Sequence, residues 1–145
     1  MKIRLIKKNE LKKVAKIYSK VYLKLNENWP IKNSEEFMNY WYKKQKDLFY
    51  VALINNEIVG AGVFGIKPLF DGNRIFDGEV FVHENFQKNG IGTEIVKIIF
   101  NKAKKEYHVN EVELFTFKNG HQLKWWKKLG LECSTDFVMI SGKIN

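Results

Sequence analysis

An α/β fold, with a mixed and mostly antiparallel sheet flanked by helices, is predicted by three features of the sequence. Two amphipathic helical stretches stand near the start, and three β-prone stretches joined by tight turns follow. A glycine-rich turn then opens a long helix that leads back to another strand. The chain has 145 residues, which predicts a single domain over 1–145.

Each element has its own signal. Lys2 to Ile6 alternates charged and apolar residues as a short strand, and Asn9 offers a helix N-cap. Leu11, Val14, Ala15, Tyr18, Val21 and Tyr22 then recur as one face of a helix. Trp29-Pro30 breaks that period, and Ser34 is read as restarting a helix with Glu35 and Glu36 in its first turn. Phe49 to Ile54 and Glu57 to Ile66 form a hairpin about Asn55-Asn56, and Arg74 to His83 adds a third strand after a turn containing Asp71-Gly72-Asn73. Gly90 and Gly92 open a helix running to about Tyr107, followed by a strand over Glu111 to Phe117. A short helix from about Gly120 ends at Gly130, and Leu131 to Ile140 reads as a last strand with Cys133 buried in it. The expected order is β-α-α-β-β-β-α-β-α-β.

Composition narrows the function. Lys and Arg number 25 against 16 Asp and Glu, a formal charge of +9 that attracts anions on average. The lysines are scattered, without a run of five or six, and no helix-turn-helix, zinc-finger or RRM motif is present, so nucleic acid is not an expected partner. The longest apolar stretch, Ile58 to Ile66, is shorter than the roughly 18 residues of a membrane span, and Met1 to Lys8 is charged rather than secretory. A lone Cys133 permits no intramolecular disulfide and no paired-cysteine zinc site, which fits a reducing cytoplasm. His83, His108 and His121 show no metal-site spacing, and no metal is expected.

The most informative stretch runs from Val80 to Thr93: strand, short loop, helix start. Unpaired N–H groups in a first helical turn, the helix dipole and glycines without Cβ atoms together favour a phosphate, and Lys88 adds charge to the same turn. The chain contains no G-x-x-x-x-G-K-[ST], which argues against a P-loop. Ile95 stands where a dinucleotide fingerprint needs its third small residue. What remains is Q-x-x-G-x-G, carried by Gln87, Gly90 and Gly92 after Val80 and Val82.

Here the sequence resembles the GNAT superfamily of N-acetyltransferases, whose motif holds the pyrophosphate of acetyl-CoA. The order of elements agrees, and Asn119 and Gly130-Leu131 match the Asn and Gly-Phe positions of the family's late helix. The resemblance implies a GNAT-like fold and acetyl-CoA as co-substrate, held by Phe81, Val82, Gln87, Lys88, Asn89, Gly90, Ile91, Gly92 and Thr93, with Asn119 and Trp126 contributing from the late helix. It also implies direct attack of an amine on the thioester, with the Val82 backbone N–H facing the developing oxyanion. Glu79 is the expected base, a carboxylate in an otherwise apolar strand, with Asp77 and His83 as alternatives. Trp29, Tyr40 and Trp41 fall where relatives form the acceptor pocket, although packing competes with that reading.

One departure matters. The tyrosine that in many relatives assists the leaving sulfur falls on Trp126, whose indole can donate a hydrogen bond but cannot act as an acid. The expected function is acetyl transfer to the primary amine of a small molecule. The alternatives are a protein or peptide amine as acceptor, or a non-catalytic acyl-CoA-binding module. Many relatives are homodimers, and nothing in the residues selects that state here.

Overall fold

The computed structural model describes all 145 residues. They form two compact units, Met1–Phe115 and Thr116–Asn145.

The first unit is built on a five-stranded sheet: β1 (Lys2–Leu5), β2 (Phe49–Ile54), β3 (Glu57–Leu69), β4 (Gly72–Val82) and β5 (Val112–Glu113). The strands lie in that spatial order, antiparallel from β1 to β4, with β5 parallel to β4. Asn55 and Asn56, both at positive φ, make the tight turn between β2 and β3. Helix α3 (Ile91–Tyr107) supplies the crossover that a parallel pair requires.

Helices α1 (Leu11–Leu23) and α2 (Ile31–Gln45) cover one face of this sheet, and α3 covers the other. Leu11, Val14, Ala15, Ile17 and Tyr18 of α1 meet Val51, Ala61, Val63 and Phe81 of the sheet in one buried cluster. On the opposite face a Cβ at Gly62 would come within 2.5 Å of Ile95. A glycine is therefore what lets α3 approach β3 so closely.

Two helix starts differ from the sequence reading. Asn9 does not cap α1; a short 3-10 turn, Lys8–Glu10, precedes the helix. Its start is closed by Glu10, whose carboxylate accepts from the Lys7 N–H at 2.9 Å and pairs with Arg4. The Arg4 guanidinium holds that carboxyl down at about 2. Helix α2 begins at Ile31 directly after Pro30, and the Ser34 N–H donates to the Pro30 carbonyl at 3.0 Å. The proline ends what precedes it and at once leads a new helix, because the missing proline N–H costs nothing at a helix start.

The second unit holds α4 (His121–Lys128), which closes as expected. Gly130 sits at φ 92°, and the Leu131 N–H donates to the Trp126 carbonyl at 3.2 Å. The last strand read over Leu131 to Ile140 does not form, and Cys133 is exposed. Ser134 Oγ accepts from the N–H groups of Asp136 and Phe137, a local turn that competes with strand backbone. Phe137, Val138, Met139 and Ile140 remain exposed with no ladder to hold them, and β-propensity is realised only where a partner strand exists. Likewise, only Val112 and Glu113 of the predicted Glu111–Phe117 strand pair with β4. No helix is long and apolar enough to cross a membrane.

Candidate active site

β4 carries two kinds of group on its second half. Glu79 lies opposite Val63 and Phe81 opposite Ala61, so both side chains point to the face covered by α1. The Phe81 ring meets Tyr18 edge-on at 5.0 Å between centroids. The Tyr22 hydroxyl donates to Glu79 Oε2 at 2.7 Å.

Electrostatics around Glu79 are one-sided. Burial pushes its carboxyl up to about 7; the Tyr22 hydrogen bond opposes the shift, while the Asp77 and Glu27 carboxylates add to it. None of the ion pairs of the structure involves Glu27, Asp77 or Glu79. Burial, reinforced by the Glu79 charge, also holds the Tyr18 and Tyr22 phenols far above their ordinary range, so both remain donors.

An aromatic wall stands next to this carboxylate. Trp29 meets Tyr18 edge-on at 5.1 Å and stacks on Phe37 at 5.0 Å, and its indole N–H donates to Glu27 Oε1 at 2.9 Å. Tyr40 and Trp41 join only through Phe37, at 6.4 and 6.3 Å. Tyr40 is half exposed, whereas Trp41 is 2% exposed and belongs to the core. Of the three residues read as an acceptor pocket, Trp29 is the one placed against the neighbours of Glu79.

The outer edge of β4 presents unspent backbone. The His83 N–H donates to the Val59 carbonyl at 2.8 Å, while Val82 pairs with Gly60. Antiparallel alternation therefore turns the Val82 N–H away from β3, and β5 reaches only Ile75 and Phe76 on that side. Phe81, by the same alternation, spends its backbone groups on β3.

Between β4 and α3 the chain makes a braced turn. Gln87 Nε2 donates to the Val82 carbonyl at 2.8 Å, and Asn89 Nδ2 donates to the carbonyls of Phe86 and Gln87 at 3.3 Å. Lys88 and Gly90 both adopt positive φ, 64° and 79°. Ile91 is buried and anchors the helix, and the first helical bond runs from the Glu94 N–H to the Gly90 carbonyl. No side chain caps α3, so the N–H groups of Ile91, Gly92 and Thr93 have no partner within the helix. A Cβ at Gly90 would meet nothing within 4 Å, so the space in front of this turn is open. Asn119 and Trp126 belong to the second unit, where Trp126 is 7% exposed and meets Trp125 edge-on at 4.6 Å.

Tyr22 and Glu27 escaped the sequence reading. Tyr18 and Tyr22 stand four residues apart on an apolar helix face, the pattern of packing residues, and nothing local announces a hydroxyl bonded to a strand 57 positions away.

Residues 11–131 match the model of the acetyltransferase (GNAT) family, and the chain belongs to that acyltransferase family. No protein of curated function matches it. The fold is shared with a "possible acetyltransferase" from Clostridium difficile 630, with TM-score 0.82, 17% identity, and coverage of 99% of this chain and 97% of that one. It is shared equally with a predicted acetyltransferase from Clostridium acetobutylicum, crystallised with acetyl-CoA, with TM-score 0.77, 17% identity, and coverage of 97% and 95%. A protein from Pyrococcus horikoshii OT3 aligns with TM-score 0.75 and 25% identity over 97% of this chain and 92% of that one.

Proposed function

We propose that this protein transfers an acetyl group from acetyl-CoA to the primary amine of a small molecule, both being bound together. The observation that carries the reading is the second half of β4. A carboxylate poised near neutrality faces one side of the sheet there, and an unspent N–H at Val82 lies on the open edge beside an uncapped helix start.

The residues present fit the co-substrate. The N–H groups of Ile91, Gly92 and Thr93, the open space at Gly90 and the Lys88 charge suit a pyrophosphate, and Gln87 and Asn89 brace the turn that presents them. Acetyl-CoA supplies an acyl group activated as a thioester. The protein supplies the rest. Glu79 accepts the proton that an ammonium must lose before its nitrogen can attack, and a base near neutrality is well matched to that task. The Val82 N–H offers a donor where negative charge would develop on an oxygen. Three carboxylates without ion-pair partners, Glu27, Asp77 and Glu79, attract a cationic amine despite the overall charge of +9, and the aromatic residues Trp29 and Tyr22 hydrogen-bond Glu27 and Glu79. The family match spans the boundary between the two units, which supports treating the chain as one domain.

Calorimetric titration with acetyl-CoA tests the reading, repeated on Gly90→Asp. Micromolar binding lost in the variant, followed by thiol release with a panel of small primary amines, is the expected result. No binding to folded wild-type protein overturns it. Binding without turnover on any small amine, but with turnover on peptide amines, replaces the acceptor class.

A further inference from the structure

We propose that Tyr22 is a positioning residue for acyl transfer: its hydroxyl fixes one oxygen of Glu79 and leaves the other to take the proton of the acceptor amine. The inference rests on Glu79 being the base.

The geometry is specific to this chain's own residues. The Tyr22 hydroxyl donates to Glu79 Oε2 at 2.7 Å, which leaves Oε1 as the oxygen outside that bond. Tyr22 is itself held. Its ring stacks on Tyr18 at 4.2 Å and 26°, and Tyr18 is 1% exposed, wedged edge-on against Trp29 and Phe81. The phenol is thus a fixed donor on a rigid helix, the arrangement by which a neighbouring residue locks a reactive side chain in one rotamer.

The surroundings explain why such a donor is needed. Tyr18 and Tyr22 face Glu79 from α1, Glu27 from the segment after α1, and Asp77 from β4; β3 supplies Val63 opposite. Burial and two carboxylates all favour the protonated, inactive form, and none of the three carboxylates is ion-paired. Donation by Tyr22, with a smaller contribution from Tyr18, is what favours the ionised form. Tyr22 does not exchange its own proton in this scheme. One proton of the ammonium passes to Glu79, giving a neutral carboxyl group and a neutral nucleophile; as the C–N bond forms and the thioester C–S bond breaks, the second nitrogen proton ends on the departing sulfur as free thiol, and Glu79 returns the first to solvent.

The test titrates the full-length protein labelled with ¹³C at the glutamate side-chain carboxyls, by NMR, as wild type, Tyr22→Phe and Glu79→Gln. The last variant assigns the Glu79 signal by its disappearance. Tyr22→Phe keeps the ring and its stacking, so a thermal melt close to wild type is expected. Its Glu79 midpoint should move upward by about half a pH unit or more. With acetyl-CoA and an accepted amine, the acid limb of kcat/KM should move by the same amount, while KM for acetyl-CoA stays unchanged. A merely structural Tyr22 would move neither midpoint. An unchanged Glu79 midpoint in a variant that still binds acetyl-CoA overturns the Tyr22 proposal and leaves the acetyltransferase reading standing. Wild-type protein that binds no acetyl-CoA overturns that reading, and the role of Tyr22 with it.

Discussion

The two halves of β4 are treated in opposite ways. Over Arg74 to Phe76 polar groups meet partners on the outer side: Ile75 donates to the Glu111 carbonyl, β5 pairs alongside, and Arg74 meets Asp71, Glu111 and Glu113. Over Gly78 to Val82 the outer edge is left open by β5, and Glu79 has no cationic partner. Folding stability alone favours the first pattern, since an enclosed charge or donor without a partner costs free energy. The proposed acyl-transfer role accounts for the second pattern. One strand is therefore paired at one end and open-edged at the other, where the proposed active site lies, and the change falls at Asp77, whose φ of 61° accompanies a register shift opposite Phe64–Ile66.

Substitutions that break this contrast should rank as follows. The largest effect is expected from Gly90→Asp, which adds a carboxylate in front of the uncapped helix start. Acetyl-CoA affinity should fall by about 100-fold or more in calorimetry, and the left-handed backbone should cost about 1–2 kcal/mol of stability. Gly90→Asn, of similar shape and no charge, should weaken binding far less, which separates charge from bulk.

Next is Glu79→Gln, expected to lower kcat/KM by roughly 100-fold and to abolish its acid limb near pH 7. The sign for stability is opposite to that of an ordinary ion-paired carboxylate. Because the folded-state pKa is raised, wild-type protein loses stability as pH climbs from the ordinary carboxylate range to about 7 and carries the full penalty above that, whereas well below that range both states are protonated and none applies. The Gln variant should therefore melt higher than wild type above pH 7 and lose that advantage as pH falls. Equal melting curves at all pH values would show that Glu79 is not buried in its charged form.

Gln87→Ala removes the brace to the Val82 carbonyl and should weaken acetyl-CoA binding by about 10-fold without changing kcat greatly. The smallest functional effect belongs to Arg74→Ala at the scaffold end. It should lower the melting temperature yet leave acetyl-CoA affinity unaltered. A loss of affinity there would erase the distinction between the two halves.

Much of this was legible in the residues. The glycine turn after Val82 was found by its own chemistry, because a positive φ at Gly90 and a donor-rich helix start leave a local trace in the sequence. The carboxylate at Glu79 stood out as a charge within an apolar strand. Its environment did not, since the Tyr22 hydroxyl and the Glu27 carboxylate arrive from a helix and a loop far away in sequence. Trp29 and Trp41 read alike as aromatic residues near a helix, and packing separated them, placing one beside Tyr18 and the other in the core.

The sequence by itself determined the helices on both faces of the sheet, the antiparallel strands joined by tight turns, and the glycine turn that opens α3, because periodicity, turn residues and caps act over a few residues. The tertiary structure decided the rest. A strand exists only when a neighbour completes its ladder, so Glu111–Phe117 shrank to Val112–Glu113 and the apolar stretch after Ser134 stayed unpaired. The ionisation of Glu79 likewise depends on burial and on charges brought from distant segments, quantities that no local pattern encodes.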